Sequence, residues 1–309
     1  MAGIIYANYY VPEDKVPTSE FVEEKIASVF IKQYKLEYVY IEKKRDPVEI
    51  ARTLVKKFFD TGGCKPGEIS HIIYTASPNL KKDKVCIPYF LQSCFQMNSA
   101  AILLMKQECN SVLQAIQLAS ALVDSGKADK VMILGMSYGT DKKERFIRTT
   151  VIGDGAGLMV IGKEGYQARV KDFISVSDGR FSQDQYENRE HKRDSLDIVR
   201  SGADLILGLL KRSNLEIKDI DIIVPQNINF LGFFAYARIL GINPDRVFSK
   251  NISGGGHMVD IDTIRNYSDY AAGIGPGSQH GNAPFILYGT STIDAFNITY
   301  DVILMDQAT

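Results

Sequence analysis

Apolar positions fall along the chain in two rhythms. Residues 72–75, 100–104 and 131–134 form short runs that are apolar almost throughout, as strands covered on both faces are. Between them the spacing changes to that of helices. Residues 47–59 place Ile50, Leu54 and Phe58 on one stripe and turn Arg52, Lys56 and Lys57 away, which predicts a surface helix packed on a sheet. Residues 110–125 are apolar on nearly every side and stop at Gly126, which predicts a helix buried in the interior. Strands alternating with helices make this an α/β chain.

A loose repeat divides it. Residues 65–74 and 216–224 each lead from an acidic-Ile step (Glu68-Ile69, Glu216-Ile217) into a buried Ile-Ile strand. About forty residues beyond that step stands Cys109 in one stretch and His257 in the other, a separation suited to one repeated α/β unit. The repeat predicts two similar halves, residues 1–163 and 164–309, with the boundary near Lys163 to Tyr166.

Composition narrows the class. A chain of 309 residues, 45% hydrophobic, buries a sizeable core. Its net charge of -1, spread along the sequence, leaves no footprint for nucleic acid or an anionic membrane surface. The first ten residues lack a basic leader, and no apolar run reaches the roughly 18 residues of a bilayer span. The expectation is a cytoplasmic protein. Its four cysteines, Cys64, Cys86, Cys94 and Cys109, include no C-x-x-C pair, and its four histidines, His71, His191, His257 and His280, lie far apart. Neither a disulfide framework nor a metal site is expected.

Cys109 has a distinct setting. Residues 101–105 read as a strand, 106–108 as its connection and 110–125 as the buried helix, so Cys109 stands at a strand-to-helix turn. The positive end of a helix in a low-dielectric interior favours a thiolate, and free N–H groups of the first turn stabilise an oxyanion on an attacked carbonyl. The alternative is a structural cysteine that fills the junction. Glu108 bears on the choice, because a carboxylate beside the thiol opposes the thiolate unless it is paired or turned away.

Glu108-Cys109-Asn110-Ser111 before an Ala-rich helix, then residues 125–135 and Gly153-Asp154-Gly155-Ala156-Gly157, resemble the ketoacyl-acyl-carrier-protein synthase III family of the thiolase superfamily. The opening 10–16 (YVPEDKV) resembles that family's N-terminal turn. The resemblance implies an α/β, thiolase-like αβαβα five-layer fold from two similar halves, and a homodimer, with a heterodimer of related chains as the alternative. The glycine run at 153–157 lacks nucleotide-binding spacing and reads as a structural turn near the site.

Departures from the pattern carry the mechanism. Where condensing members have a histidine, the segment Val224-Pro225-Gln226-Asn227-Ile228-Asn229 has Gln226, with Asn229 as a second auxiliary candidate. Where they have an asparagine, the segment 254–262 (GGGHMVDID) has His257, which is expected to open a helix after the glycines. Gln226 donates a hydrogen bond but does not cycle a proton near neutral pH, whereas His257 serves as a base if a carboxylate orients it. Spacing leaves Asp260 and Asp262 both open. The resemblance favours Asp262, since acyltransferases of specialised metabolism in this family place an aspartate five residues after such a histidine.

The expected activity is therefore acyl transfer. Cys109 takes the acyl group from a carrier-protein or coenzyme A thioester, with no permanently bound cofactor, and His257 activates a hydroxyl, amine or other small-molecule acceptor. The N–H groups of Cys109 and of Gly289, in a 288–290 turn resembling the family's glycine loop, are expected to hold the oxyanion. The alternatives are an atypical ketosynthase that forms a carbon–carbon bond and a non-catalytic subunit of a heterodimer.

Overall fold

The computed structural model of the chain describes residues 1–76, 85–138, 145–147, 149–187, 189, 195–253, 255–274, 283–292 and 297–307. Gly254 of the glycine run lies outside them. The first part runs β1 (Gly3–Tyr10), β2 (Lys15–Pro17), α1 (Glu24–Val29), β3 (Tyr38–Tyr40), α2 (Pro47–Asp60), β4 (Ile69–Ala76), α3 (Ile87–Cys94) and β5 (Ala101–Met105). It continues through α4 (Ser111–Asp124), β6 (Lys130–Ser137), β7 (Phe146–Ile147), β8 (Thr150–Val151) and β9 (Gly155–Gly162). The remainder is β10 (Ala168–Asp178), α5 (Ser182–Tyr186), α6 (Ser195–Arg212), β11 (Ile223–Pro225), α7 (Phe230–Leu240), α8 (Ile261–Ala271), β12 (Phe285–Thr292) and β13 (Ile298–Gln307).

Among the described residues nine strands hydrogen-bond in the order β11-β12-β13-β10-β1-β9-β6-β4-β5. Strands from before residue 163 fill one side of that order and later strands the other. They meet at a short antiparallel pairing of Gly3 and Ile4 with Arg169 and Ala168.

Side-chain alternation along these strands sorts the core into layers. On the first side, Ile72, Met132, Leu134, Leu158 and Val160 face outward onto Ile50, Leu54 and Phe58 of α2 and Leu91 of α3. Their neighbours Ile73, Val131, Ile133, Met159 and Ile161 face inward onto Val112, Ile116 and Ala119 of α4. On the second side, Ile286, Val302 and Leu304 face Ala203, Ile206 and Leu210 of α6. There the inward set is Phe285, Leu287, Ile303 and Met305, in one cluster with Tyr267 and Tyr270 of α8. Helices, sheet, helices, sheet and helices thus stack as five layers, with α4 and α8 in the middle.

Local sequence sets the helix ends. The Asp46 side chain accepts from the Val48 N–H at 2.8 Å and Pro47 occupies the first turn of α2, both ordinary devices for starting a helix. Gly126, at φ +71°, follows α4 where the chain must turn left-handed. Each fully buried Leu, Ile or Phe contributes roughly 1.5–3 kcal/mol, so α4 is anchored strongly where it carries the cysteine.

The glycine run at 153–157 is not the expected turn. Gly155 begins β9 and Gly157 pairs with Gly135 and Tyr9 inside the sheet. A Cβ on Gly157 would lie 2.9 Å from Ile264 Cδ1, and one on Gly155 would lie 2.8 Å from Met258 Sδ. The missing side chains therefore let α8 and the histidine segment press against the strand.

Candidate active site

Residues 108–110 form a single 3-10 turn before α4. Glu108 enters it at φ +46°, an uncommon conformation for a residue with a side chain. Ser111 closes the turn, its hydroxyl accepting from the Gln107 N–H and donating to the Glu108 carbonyl, both at 2.8 Å. Cys109 is left half-buried at the tip. Glu108 lies 4.0 Å from the Lys106 ammonium and is partly exposed, so its charge is shared with a cation and with water.

The second side delivers its groups through the segment before α8. His257 does not open that helix: Asp260 is its N-cap, and His257 lies in an extended stretch bridged to Ile152. The His257 N–H donates to the Val151 carbonyl at 3.2 Å, and the His257 carbonyl accepts from Gly153 at 2.8 Å. Gly256, at φ +73°, makes the bend, and a Cβ there would come within 2.5 Å of Val39 Cγ1. Val259, buried and β-branched, also sits left-handed at φ +54°, a strain of about 1–3 kcal/mol. That turn directs Asp262 back toward the imidazole.

The result is a line of three side chains. Cys109 Sγ stands 3.1 Å from His257 Nε2, and His257 Nδ1 donates to Asp262 Oδ2 at 2.6 Å. Asp262 is fully buried and accepts three further N–H groups: the Asn227 backbone at 2.7 Å, the Asn227 amide at 3.1 Å and the Met258 backbone at 2.9 Å. Burial opposes a charged His257, but the negative charges of Cys109 and Asp262 outweigh it and raise the pKa to about 10. Asp260 is also buried, yet among the described residues its carboxyl makes no well-formed hydrogen bond, and burial raises its pKa to about 7. Of the two aspartates that spacing left open, Asp262 reaches the ring.

The other expected residues fall elsewhere. Gln226 sits beneath the cysteine, donating to the Cys109 carbonyl and, at 2.9 Å, to Asn110 Oδ1, while its own carbonyl accepts from the Thr290 N–H at 3.3 Å. Both amide hydrogens are thereby committed. Asn229 caps α7, accepting from the Gly232 N–H at 3.0 Å. Gly289 belongs to β12, not to a turn, and residues 293–296 between β12 and β13 lie outside the described residues. The Ile286 N–H points to Ile222 and the Thr290 N–H to Gln226, so strand alternation turns the Gly289 N–H toward its partner Asp301 in β13. It is a ladder group. The absent side chain gives room instead, since a Cβ on Gly289 would meet Leu113, Asn110 and Gln226 at 2.4–2.7 Å.

Asn110, Asn227 and Asp301 hydrogen-bond into this cluster, and the sequence did not single them out. The available signal was polarity in an apolar context: Asn110 heads a largely apolar helix, and Asp301 interrupts an apolar strand. Among the described residues no hydrogen bond joins another cysteine to an imidazole; Cys64 is buried, which pushes its pKa up to about 11, and Cys86 and Cys94 are exposed. Phe95 and Met97 pack into the outer core under α2, away from this site. Among the described residues no group of three or more His, Cys, Asp or Glu is placed to hold a metal, and no helix is long and apolar enough to cross a membrane.

Residues 105–179, which carry the cysteine turn, match the family model of 3-oxoacyl-[acyl-carrier-protein (ACP)] synthase III. A beta-ketoacyl-[acyl-carrier-protein] synthase III of Nitratidesulfovibrio vulgaris is 25% identical over 210 residues, 60% of this chain and 63% of that protein. The chain thus spans somewhat less than two thirds of that relative. Similar folds extend over the whole chain. The 3-oxoacyl-[acyl-carrier-protein] synthase III of Aquifex aeolicus superposes with a TM-score of 0.80 at 17% identity, covering 99% of this chain and 100% of that one. The acyltransferase ChlB3 superposes with a TM-score of 0.82 at 16% identity, covering 100% and 98%. The five layers are those of the thiolase fold.

Proposed function

We propose that this chain, a thiolase-fold relative of the ketoacyl-acyl-carrier-protein synthase III family, is an acyltransferase that carries its acyl group as a thioester on Cys109. The observation that supports it is the Cys109–His257–Asp262 line, 3.1 Å and 2.6 Å between successive groups, beside a Gln226 whose amide hydrogens are already committed. The thiolate attacks the carbonyl of a carrier-protein or coenzyme A thioester. The oxyanion draws on the Cys109 N–H, and collapse expels the donor thiolate, which takes the proton from the His257 imidazolium. His257 Nε2 then removes a proton from a hydroxyl, amine or other acceptor, whose lone pair attacks the enzyme thioester and releases Cys109. Asp262 holds the ring in one tautomer and balances its charge.

Decarboxylative condensation is the competing reaction, and the names of the curated relatives favour it. Gln226 weighs against it, because it has no free donor to turn toward a malonyl group. Intact-protein mass spectrometry after mixing with acetyl-coenzyme A and malonyl-coenzyme A separates the readings. Acyl transfer predicts an adduct on Cys109, absent from Cys109→Ala, with no CO2 released from malonyl-coenzyme A. An adduct that survives in Cys109→Ala, or none on the native protein, defeats the proposal.

The same proposal divides the chain into halves at 1–163 and 164–309, one supplying the nucleophile and the other the base. It also includes a homodimer. Its support is the edge strand β5, which pairs only with β4 among the described residues and leaves Leu104 66% exposed next to the cysteine turn. A heterodimer with a related chain would use the same edge.

A further inference from the structure

Asp301 is a buried carboxylate with no cation against it among the described residues. Burial raises its pKa, and hydrogen bonds from Ser175, Gln117 and Asn110 oppose that rise. Its Oδ1 accepts from the Ser175 hydroxyl and from the Gln117 amide, the latter at 2.9 Å; its Oδ2 accepts from Asn110 Nδ2 at 2.7 Å. A group so costly to bury calls for a purpose, and packing does not supply one.

The purpose lies in what Asn110 touches. Its amide also approaches the Thr299 carbonyl at 3.1 Å and the Gly289 carbonyl at 3.3 Å, while its Oδ1 accepts from Gln226. Gln226 in turn donates to the carbonyl of Cys109 itself. The peptide that joins Cys109 to Asn110 is therefore gripped twice, through its carbonyl by Gln226 and through the next side chain by Asp301. Both grips reach across from the second side of the molecule, 117 and 191 residues away in sequence. Gly289 leaves the space in which they meet.

We infer that Asp301 is a positioning residue for the nucleophile, acting through Asn110 to fix the Cys109 peptide so that Sγ stays in reach of His257 and the Cys109 N–H faces the reacting carbonyl. This rests on Cys109 being the nucleophile, but on neither the donor nor the acceptor. A carboxylate suits the task because it accepts from Asn110 on one oxygen and is itself anchored on the other by Gln117 and Ser175. An amide of the same shape would turn one donor against donors.

The test uses the full chain, with iodoacetamide and acetyl-coenzyme A as probes and peptide mapping to separate Cys109 from the exposed Cys86 and Cys94. Asp301→Asn, assayed at a temperature where circular dichroism shows it folded, is expected to slow alkylation and acylation of Cys109 about 10–100-fold, the cost of a small misplacement. KM for acetyl-coenzyme A is expected to change less than about threefold, since binding does not need the brace. Asn110→Ala is expected to lose as much, and the double variant no more than the worse single one, because the two act in series. Should Asp301→Asn not fold, Gln117→Ala loosens the same carboxylate and is expected to slow both reactions several-fold. Rates within twofold of wild type in folded Asp301→Asn or Gln117→Ala, or fully additive losses, overturn the inference. If wild-type Cys109 takes no acyl group yet its rapid alkylation slows in Asp301→Asn, the placement stands and the acyltransferase reading falls.

Discussion

Replacing Asp262 by Asn removes a charge without changing shape, and its cost follows from the four N–H groups that converge on the carboxylate. Oδ2 receives His257 Nδ1 and the Asn227 backbone; Oδ1 receives the Asn227 amide and Met258. Whichever way the new amide is turned, its NH2 faces two donors. Flipping Asn227 to accept would break its bond with Asn266, whose amide now donates to Asn227 Oδ1 at 2.9 Å. Breaking a buried charged pair in this way costs about 3–5 kcal/mol. At 1.36 kcal/mol per decade, that amounts to roughly a 10²–10⁴-fold loss if it falls on the thiolate–imidazolium pair from which acylation starts. Single-turnover acylation of Cys109 by acetyl-coenzyme A, followed by quenched-flow mass spectrometry, measures it directly. Asp260→Asn is the control, since that carboxyl does not touch the ring and should stay within about tenfold of wild type. An Asp262→Asn enzyme within fivefold of wild type, or an Asp260→Asn enzyme slower than it, would refute the assignment of Asp262 as the orienting group.

Two further outcomes rest on titration. The unfolded chain sheds the Asp260 proton near 3.8 whereas the folded one keeps it to about 7, so between those values the folded state holds more protons and loses stability as pH rises. The contribution is at most about 4 kcal/mol; urea unfolding from pH 4 to 8 should show a flatter pH dependence in Asp260→Asn, and an unchanged slope would contradict the burial argument. Removing the thiol in Cys109→Ala takes away the largest influence that raises His257, so the ring should titrate below the value of about 10 expected in the native protein. Imidazole proton NMR checks this, with an unmoved titration as the contrary result.

The fold was legible in the sequence where structure is local. The stripe Ile50, Leu54, Phe58 and the apolar wrap of residues 111–124 each report which neighbours a helix meets, and the nearly unbroken apolar run at 72–75 reports two covered faces. Cys109 and His257 were legible because their surroundings are short, ordered patterns. What escaped depends on contacts between distant segments. Gly289 and the run at 153–157 looked like turns, since glycine signals both a bend and a close approach; only the packing of Asn110 or Ile264 against them distinguishes the two. The choice between Asp260 and Asp262 turned on where α8 begins, and the left-handed Val259 that sets it is invisible to propensity. The Asn110–Asp301 contact spans 191 residues and leaves no periodic trace.

The two sides of the line of side chains are also separated in time. Cys109 leaves the ribosome 148 residues before His257, a delay of roughly 7–30 s at about 5–20 residues per second. During that interval the thiol has neither imidazole nor brace, so the nascent chain carries an ordinary cysteine. If Cys109 is the nucleophile proposed above, its reactivity begins only when the later segments dock, and the rate at which it becomes alkylatable during refolding is a clock for the joining of the two sides rather than for the folding of either.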